Sequence, residues 1–333
     1  MKRISFKHVE KILPIIGIIL FIYIISDIGI YKILETFLII PPYFFIIALV
    51  LFVPKLLIAT KKWKMICDVQ KIPVSYKYLA HLYLISIFYG SVTPSGIGFH
   101  IRMYFLARKT KVFFEKCIAN SIVEGTLTLI AGTFLSVIGS LLIFSVYPSI
   151  FPILFVIFLF YVIIFVFFMG KKRGGSVINY IIKPFIPSKY KTNIQDSIEL
   201  LYEDLPKLKD TILPFFLDCI VWIIAAIQVY ILSLNYALNI PFHLFILISI
   251  TSVIVATMVP ITIGGIGVRE GVFVLLLAPF GVPSDVAFVL SFAGFLVKNL
   301  IPGVIGMIFA IGIHLPVKSS FDEELDEISN LKD

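Results

Sequence analysis

Long, largely apolar runs recur along the whole chain: Ile12 to Ile25, Phe37 to Thr60, Phe151 to Met169 and Ile212 to Leu234. Several approach or exceed the roughly 20 residues that cross a bilayer's hydrocarbon core. Inside hydrocarbon each backbone N–H and C=O must find a partner within the protein, and for segments of this length only α-helices provide it. Composition agrees, since 59% of the 333 residues are hydrophobic and only 14% charged, with a mean hydropathy of +1.04, far from a soluble domain. The fold class is therefore all-α, a polytopic membrane protein.

The remaining bulk properties exclude more than they assign. Cys67, Cys117 and Cys219 are widely spaced with no CxxC pattern, so they read as packing residues and no metal site is expected. The N-terminal Lys2, Arg3, Lys7 and Lys11 precede an apolar run that lacks a small-x-small cleavage site, which favours a retained first helix over a cleaved signal. The net charge of +8 lies in loops beside apolar segments, where it suits anionic headgroups and not nucleic acid. No Walker sequence is present, so no cofactor and no direct use of ATP are expected.

Length and charge predict the topology. Crossing helices are expected at Lys11 to Asp27, Phe37 to Thr60, Cys117 to Ser145, Phe151 to Met169, Ile212 to Leu234 and Val286 to Ile313. Lys61-Lys62-Trp63-Lys64 reads as a basic, interfacial turn closing the second of these on the cytoplasmic side. Tyr78 to Ser91 has 14 residues, which reach about 21 Å at 1.5 Å each and fall short of a core of about 30 Å. With the arm Phe99 to Leu106 it predicts a re-entrant hairpin over 78–106, and Phe242 to Val259 with Val268 to Phe280 predicts a second over 242–280.

The expected organisation is a single integral membrane domain, 1–333. It comprises a first half, 1–169, a cytoplasmic linker, 170–211, a second half, 212–315, and an acidic cytoplasmic tail, 316–333. The linker holds Ile194, Ile198, Leu201 and Leu205 at the spacing of an amphipathic surface helix. Basic clusters at 61–64, 108–116 and 171–173 place both termini in the cytoplasm, with the protein multi-pass in the cell membrane. Six crossing helices and two re-entrant helical hairpins opening from opposite sides give the pattern of an inverted repeat, whose interface commonly holds substrate near the midplane.

Each hairpin tip is a glycine-rich break. Thr93-Pro94-Ser95-Gly96-Ile97-Gly98 is followed by Arg102, and Pro260-Ile261-Thr262-Ile263-Gly264-Gly265-Ile266-Gly267 by Arg269-Glu270. Unwound backbone at membrane depth is tolerated only where protein or a watery cavity surrounds it, so the two tips mark a candidate site. A guanidinium can hold two phosphate oxygens at once, and arms that start at the tips offer helix N-termini to an anion. The candidate binding residues are Arg102, Arg269, Glu270, Glu124 and Lys298, with Pro94, Gly96, Gly98, Pro260, Gly264, Gly265 and Gly267 shaping the tips. Arg102 could equally anchor a hairpin at the interface, Arg269 could simply pair with Glu270, and Glu124 could pair with Arg102, relay a proton or lie at the interface. Asp218 and Gln228 read as packing or interfacial residues. No catalytic constellation is legible, because no His or second carboxylate is spaced to partner Glu270 or Glu124.

Pro260 and Gly264-Gly265-Ile266-Gly267-Val268-Arg269-Glu270-Gly271, followed by Leu275-Leu276-Leu277, Gly281-Val282-Pro283 and Ala287, closely resembles a signature of the flippase-like membrane domain of lysylphosphatidylglycerol synthases. Thr93 to Gly98 with Arg102 and Tyr104 resembles that family's first signature, and Lys61 to Lys64 with Trp63 its preceding basic turn. The resemblance covers essentially the whole chain. Two positions depart from it: the acidic residue often found shortly before the first Arg is replaced by Phe99 and His100, and a basic residue near the last helix, often Arg, is Lys298 here. The soluble aminoacyl-transfer domain of the full-length synthases is not represented in these residues, so lysine transfer is not implied. What the resemblance implies is movement of a phospholipid or polyprenyl-phosphate-type lipid between leaflets, without enzymatic chemistry. The alternatives are an integral membrane enzyme acting on lipid phosphates and a membrane assembly or scaffold protein. The oligomeric state is not legible.

Overall fold

The structure is a computed structural model and describes residues 21–93, 96–170, 199–258, 262 and 264–312. Most of the expected linker, the whole of the expected tail, the start of the first helix, and Pro94 and Pro260 lie outside the described residues. Among the described residues the regular structure is entirely helical. Five helical stretches are long and apolar enough to cross a bilayer: Pro42–Val69, Phe114–Leu142, Ile150–Met169, Leu208–Tyr236 and Ser284–Ile311.

Residues 21–28 form α1, which ends at Gly29, whose φ of 92° leads into α2 (Ile30–Leu38). The expected second crossing at Phe37 to Thr60 is shifted in register. Pro42 instead starts α3 (Pro42–Val50) at its first helical position, where a missing N–H costs nothing. A single turn at Leu51 joins α3 to α4 (Phe52–Val69), because Pro54 cannot donate to the preceding turn. The crossing therefore continues past Thr60 to Val69, and Lys62 and Trp63 lie buried inside the protein and not in an interfacial turn.

Ser75 caps α5 (Tyr76–Val92) by accepting the Tyr78 N–H. At the other end the Thr93 hydroxyl donates to the Tyr89 carbonyl at 2.7 Å and accepts the Gly98 N–H at 2.8 Å, so one side chain stitches the first tip closed. A 3₁₀ turn, Ile97–Ile101, then leads into α6 (Arg102–Thr110), longer than the expected arm. Two crossing helices follow, α7 (Phe114–Leu142) and α8 (Ile150–Met169). They differ in role: 56% of the most apolar stretch of α7 is buried inside the protein against 11% for α8, so α7 is central and α8 faces lipid.

In the later part of the chain α9 (Ile212–Ser233) crosses, and α10 (Phe242–Met258) runs to the second tip. There α11 (Val268–Leu277) begins, its Gly267 N–H capped by the Glu270 carboxylate at 2.7 Å. The last crossing is α12 (Ser284–Phe295), a π-helical turn at Leu296–Leu300, and α13 (Ile301–Gly312). Thr36 and Lys32 of α2 hold Asp285 at the start of α12.

Packing between the parts is reciprocal. The arm α5 lies most extensively against α13, the arm α10 lies against α7, and α4 packs on α9 between them. The first contact is backbone to backbone: a Cβ added at Gly306 would stand 2.0 Å from the Leu84 carbonyl oxygen, whereas one added at Gly303 would meet Phe88 Cα at 3.5 Å. Lys71, just beyond α4, and Lys116, in the first turn of α7, grip Asp204 at 2.7 and 2.9 Å, docking the chain before α9. Those hydrogen bonds hold the Asp204 carboxyl below the usual carboxylate range.

Gly306→Ala should accordingly separate α5 from α13 and cost about 1–3 kcal/mol of stability, while Gly303→Ala should be close to neutral, both read from thermal unfolding in detergent. A carboxyl of depressed pKa stabilises above its unfolded value and loses that contribution as pH falls through the folded one. Below about pH 4 hydrogen exchange in 199–211 should therefore rise toward that of Asp204→Asn at the same pH, and a wild-type segment as protected there as at neutral pH would contradict this.

Candidate functional site

Four helices bring four charged side chains together in the first of two buried polar clusters. Lys62 on α4 donates to Glu124 Oε1 on α7 at 2.5 Å, to Asp218 Oδ1 on α9 at 2.9 Å and to the Thr128 hydroxyl at 2.9 Å. Arg102, the first residue of α6, pairs through Nη2 with the other oxygen of Glu124. All four charged side chains are buried, Lys62 and Asp218 to 1% exposure. α7 begins at Phe114, so Glu124 lies ten residues, about 15 Å, along the helix, and it is no interfacial group.

A supporting layer fixes this cluster. The Arg102 guanidinium stacks 4.9 Å over the Trp63 ring, and Trp63 Nε1 donates to Asn120 Oδ1 at 2.7 Å. Asn120 Nδ2 in turn donates to Gln70 Oε1 at 2.7 Å, and Trp222 Nε1 donates to the Thr128 carbonyl at 3.0 Å. His100 Nδ1 and Ser121 Oγ are 2.9 Å apart on the tip side of Arg102. Arg102 Nε is buried without a hydrogen-bond partner among the described residues, so the guanidinium keeps a free donor.

The second cluster is built on the second tip. Arg269 donates through Nε to Glu270 Oε1 at 3.0 Å and again through Nη2, while Nη1 reaches the Gly264 carbonyl at 3.3 Å. Its guanidinium lies 4.4 Å over the Phe295 ring at the end of α12. Glu270 is fully buried and Arg269 nearly so. Lys298, three residues beyond Phe295, is within electrostatic reach of Arg269, Glu270 and Lys55.

The breaks themselves meet. Gly264 has φ 60°, and a Cβ added there would stand 2.9 Å from the Ser91 carbonyl oxygen at the end of α5, so no larger residue fits where the second tip touches the first arm. Gly96, Gly265 and Gly267 also take positive φ, and Gly98 lies against the Tyr89 carbonyl. The site residues divide between the clusters: Arg102 with Glu124, and Arg269 with Glu270 and Lys298. No hydrogen bond or ion pair among the described residues joins one cluster to the other.

Residues 11–306 match the family model described as the lysylphosphatidylglycerol synthase TM region. The chain belongs to this family. It is 24% identical to a UPF0104 membrane protein of Methanocaldococcus jannaschii across 90% of this chain and 93% of the relative, and 24% identical to a UPF0104 membrane protein of Methanothermobacter thermautotrophicus across 81% and 83%. Together with its apolar helices, this makes the chain a multi-pass membrane protein.

Sequence reasoning missed Lys62, Lys55 and Asp218 as members of the polar clusters. Lys62 stands among three other basic or interfacial residues and carries no local sign that it alone turns inward. Asp218 is an ion-pair partner and not a packing residue, whereas Gln228 does pack, donating to the Ala48 carbonyl at 2.7 Å. The carboxylate for Arg102, missing at Phe99 and His100, comes from α7.

Removing the ammonium of Lys62 should leave the Asp218 carboxylate buried without a counter-charge. Lys62→Met is expected to cost about 3–5 kcal/mol, and Lys62→Met with Asp218→Leu to recover most of it, because Glu124 keeps Arg102. Unfolding midpoints of the two variants in detergent decide the matter; equal midpoints would remove the quartet's structural role.

Proposed function

We propose that the protein is a lipid translocase without its own ATPase, moving a phosphate-bearing lipid between the leaflets of the cell membrane. The observation that carries this reading is the contact between two broken-helix elements, Gly264 against Ser91, with a buried arginine in the first turn of the α-helix that follows each break. Broken helices meeting inside a bundle are the usual setting of a midplane substrate site. The substrate is a phospholipid or polyprenyl-phosphate-type lipid, held by Arg102, Arg269, Glu270, Glu124 and Lys298 beside tips shaped by Pro94, Gly96, Gly98, Pro260, Gly264, Gly265 and Gly267.

In this reading six helices cross, and 78–106 and 242–280 are re-entrant hairpins of two inverted halves, 1–169 and 212–315. Reciprocal packing supports it: exchanging α5 for α10, α7 for the α12 to α13 helix, and α4 for α9 carries the α5–α13 contact into the α10–α7 contact and the α4–α5 contact into the α9–α10 contact. The linker 170–211, the tail 316–333 and both termini are cytoplasmic, following the basic clusters at 61–64, 108–116 and 171–173. Rocking one half against the other would expose the tips to alternate leaflets.

The scaffold reading has its own support, since Arg269 and Glu270 satisfy each other and Glu270 caps α11. A substitution that keeps the charge but removes the planar fork separates the two. In liposomes carrying labelled phospholipid, Arg269→Lys should slow leaflet exchange by about tenfold or more while its thermal midpoint in detergent stays near wild type. Wild-type exchange by that variant would remove the bidentate phosphate role and favour the scaffold.

A further inference from the structure

Charge accounting separates the two clusters. Lys62 and Arg102 face Glu124 and Asp218, two cations against two anions. Around the second tip Arg269 is matched by Glu270, and Lys298 and Lys55 add two further cations within electrostatic reach of each other. Neither lysine makes an ion pair or hydrogen bond with another described residue; Lys55 has only the Phe52 ring, 4.6 Å away.

Depth makes this imbalance informative. Lys55 is the fourteenth residue of the 28-residue span Pro42–Val69, and Lys298 the fifteenth of the 28-residue span Ser284–Ile311. Each lies about 20 Å of helix from either end, beyond the reach of a snorkelling side chain. Lys298 folds back along its own helix: a Cβ added at Gly294 would stand 3.7 Å from its Nζ. The π turn that carries it, a feature frequent at functional sites, packs against α3, α5 and α9.

Two further groups wait at the same level. Leu84 lies opposite Gly306 and Phe88 opposite Gly303, so the next turn of α5 brings Ser91 alongside the π turn. The hydroxyls of Ser91 and of Thr262 are buried and have no hydrogen-bond partner among the described residues. Thr262 stands two residues before Gly264, which touches the Ser91 carbonyl. Orphaned buried donors and unmatched cations both cost free energy unless a ligand satisfies them.

We propose that Lys55 and Lys298, with the Ser91 and Thr262 hydroxyls, hold a phosphate group bearing two negative charges at mid-membrane, and so select a phosphomonoester or diphosphate over a singly charged phosphodiester. The inference rests on the tips being the substrate site. A phosphomonoester carries about −1.5 to −2 charges at neutral pH, which matches the two unpaired ammonium groups, and its terminal oxygens accept several hydrogen bonds.

The test uses the full chain in phosphatidylcholine nanodiscs at neutral pH, doped with phosphatidic acid or phosphatidylglycerol, or bathed in inorganic phosphate, and reads the thermal midpoint. Phosphatidic acid should bind roughly tenfold tighter than phosphatidylglycerol, and Lys55→Met and Lys298→Met should each bring that ratio toward one. In phosphatidylcholine alone both variants should be as stable as wild type or more so, since each removes a cation with no ion pair among the described residues. Stabilisation by inorganic phosphate alone, lost in Lys298→Met, would keep the two-charge site and assign it to a soluble phosphate.

Variants that retain the wild-type preference, or that unfold readily in phosphatidylcholine alone, would overturn the assignment. Leaflet exchange in liposomes of the same lipids keeps the two ideas apart. Exchange with no preference for phosphatidic acid leaves translocation standing without this site, and preferential binding without exchange does the reverse.

Discussion

The arrangement of the interior depends on one ammonium group. Lys62 holds Glu124 of α7 and Asp218 of α9 at once, so α4 is locked to two helices that are separate in sequence. In a low-dielectric interior such a contact tolerates little displacement, because a charge that loses its partner has no water to replace it. Arg102 extends the lock to the first tip by taking the remaining oxygen of Glu124. The position of the first break is thereby set by the packing of three helices that do not contain it.

The breaks are affordable for a related reason. Each interrupted helix loses backbone hydrogen bonds, and a side chain replaces some of them: Thr93 bridges Tyr89 and Gly98 at the first tip, and Glu270 accepts the Gly267 N–H at the second. Both substitutes are local, within a few residues of the break. Gly264 lies against the Ser91 carbonyl and Gly98 against that of Tyr89, so other parts of the protein pack on the described residues of both breaks. Among the described residues, Gly264 against Ser91 is a point where the two elements touch.

Electrostatic asymmetry follows from how the charges are distributed. The quartet around Lys62 is balanced and fully engaged, which suits a fixed element. The second tip combines the Arg269–Glu270 pair with two lysines that make no ion pair among the described residues, so the cations there outnumber the carboxylates. Phe295 lies beneath Arg269 and against Gly264, connecting that cluster to the π turn of the last crossing helix.

The sequence by itself determined the helical class, the apolar spans and the two breaks, because each is a property of neighbouring residues. A run of apolar side chains sets a crossing length, and Gly, Pro and Thr set where a helix stops. Helix limits such as Phe242–Met258 and Ile212–Ser233 were legible to within a residue for this reason. The ends of the second crossing were not, since Lys61-Lys62-Trp63-Lys64 has the composition of an interface and only packing turns Lys62 and Trp63 inward. Arg269 and Glu270 were legible as a pair because they are adjacent. The partners of Lys62 lie 62 and 156 positions away, and no local pattern encodes which distant carboxylate a buried cation meets; the tertiary structure alone decided that, by bringing α4, α7 and α9 to one line of contact.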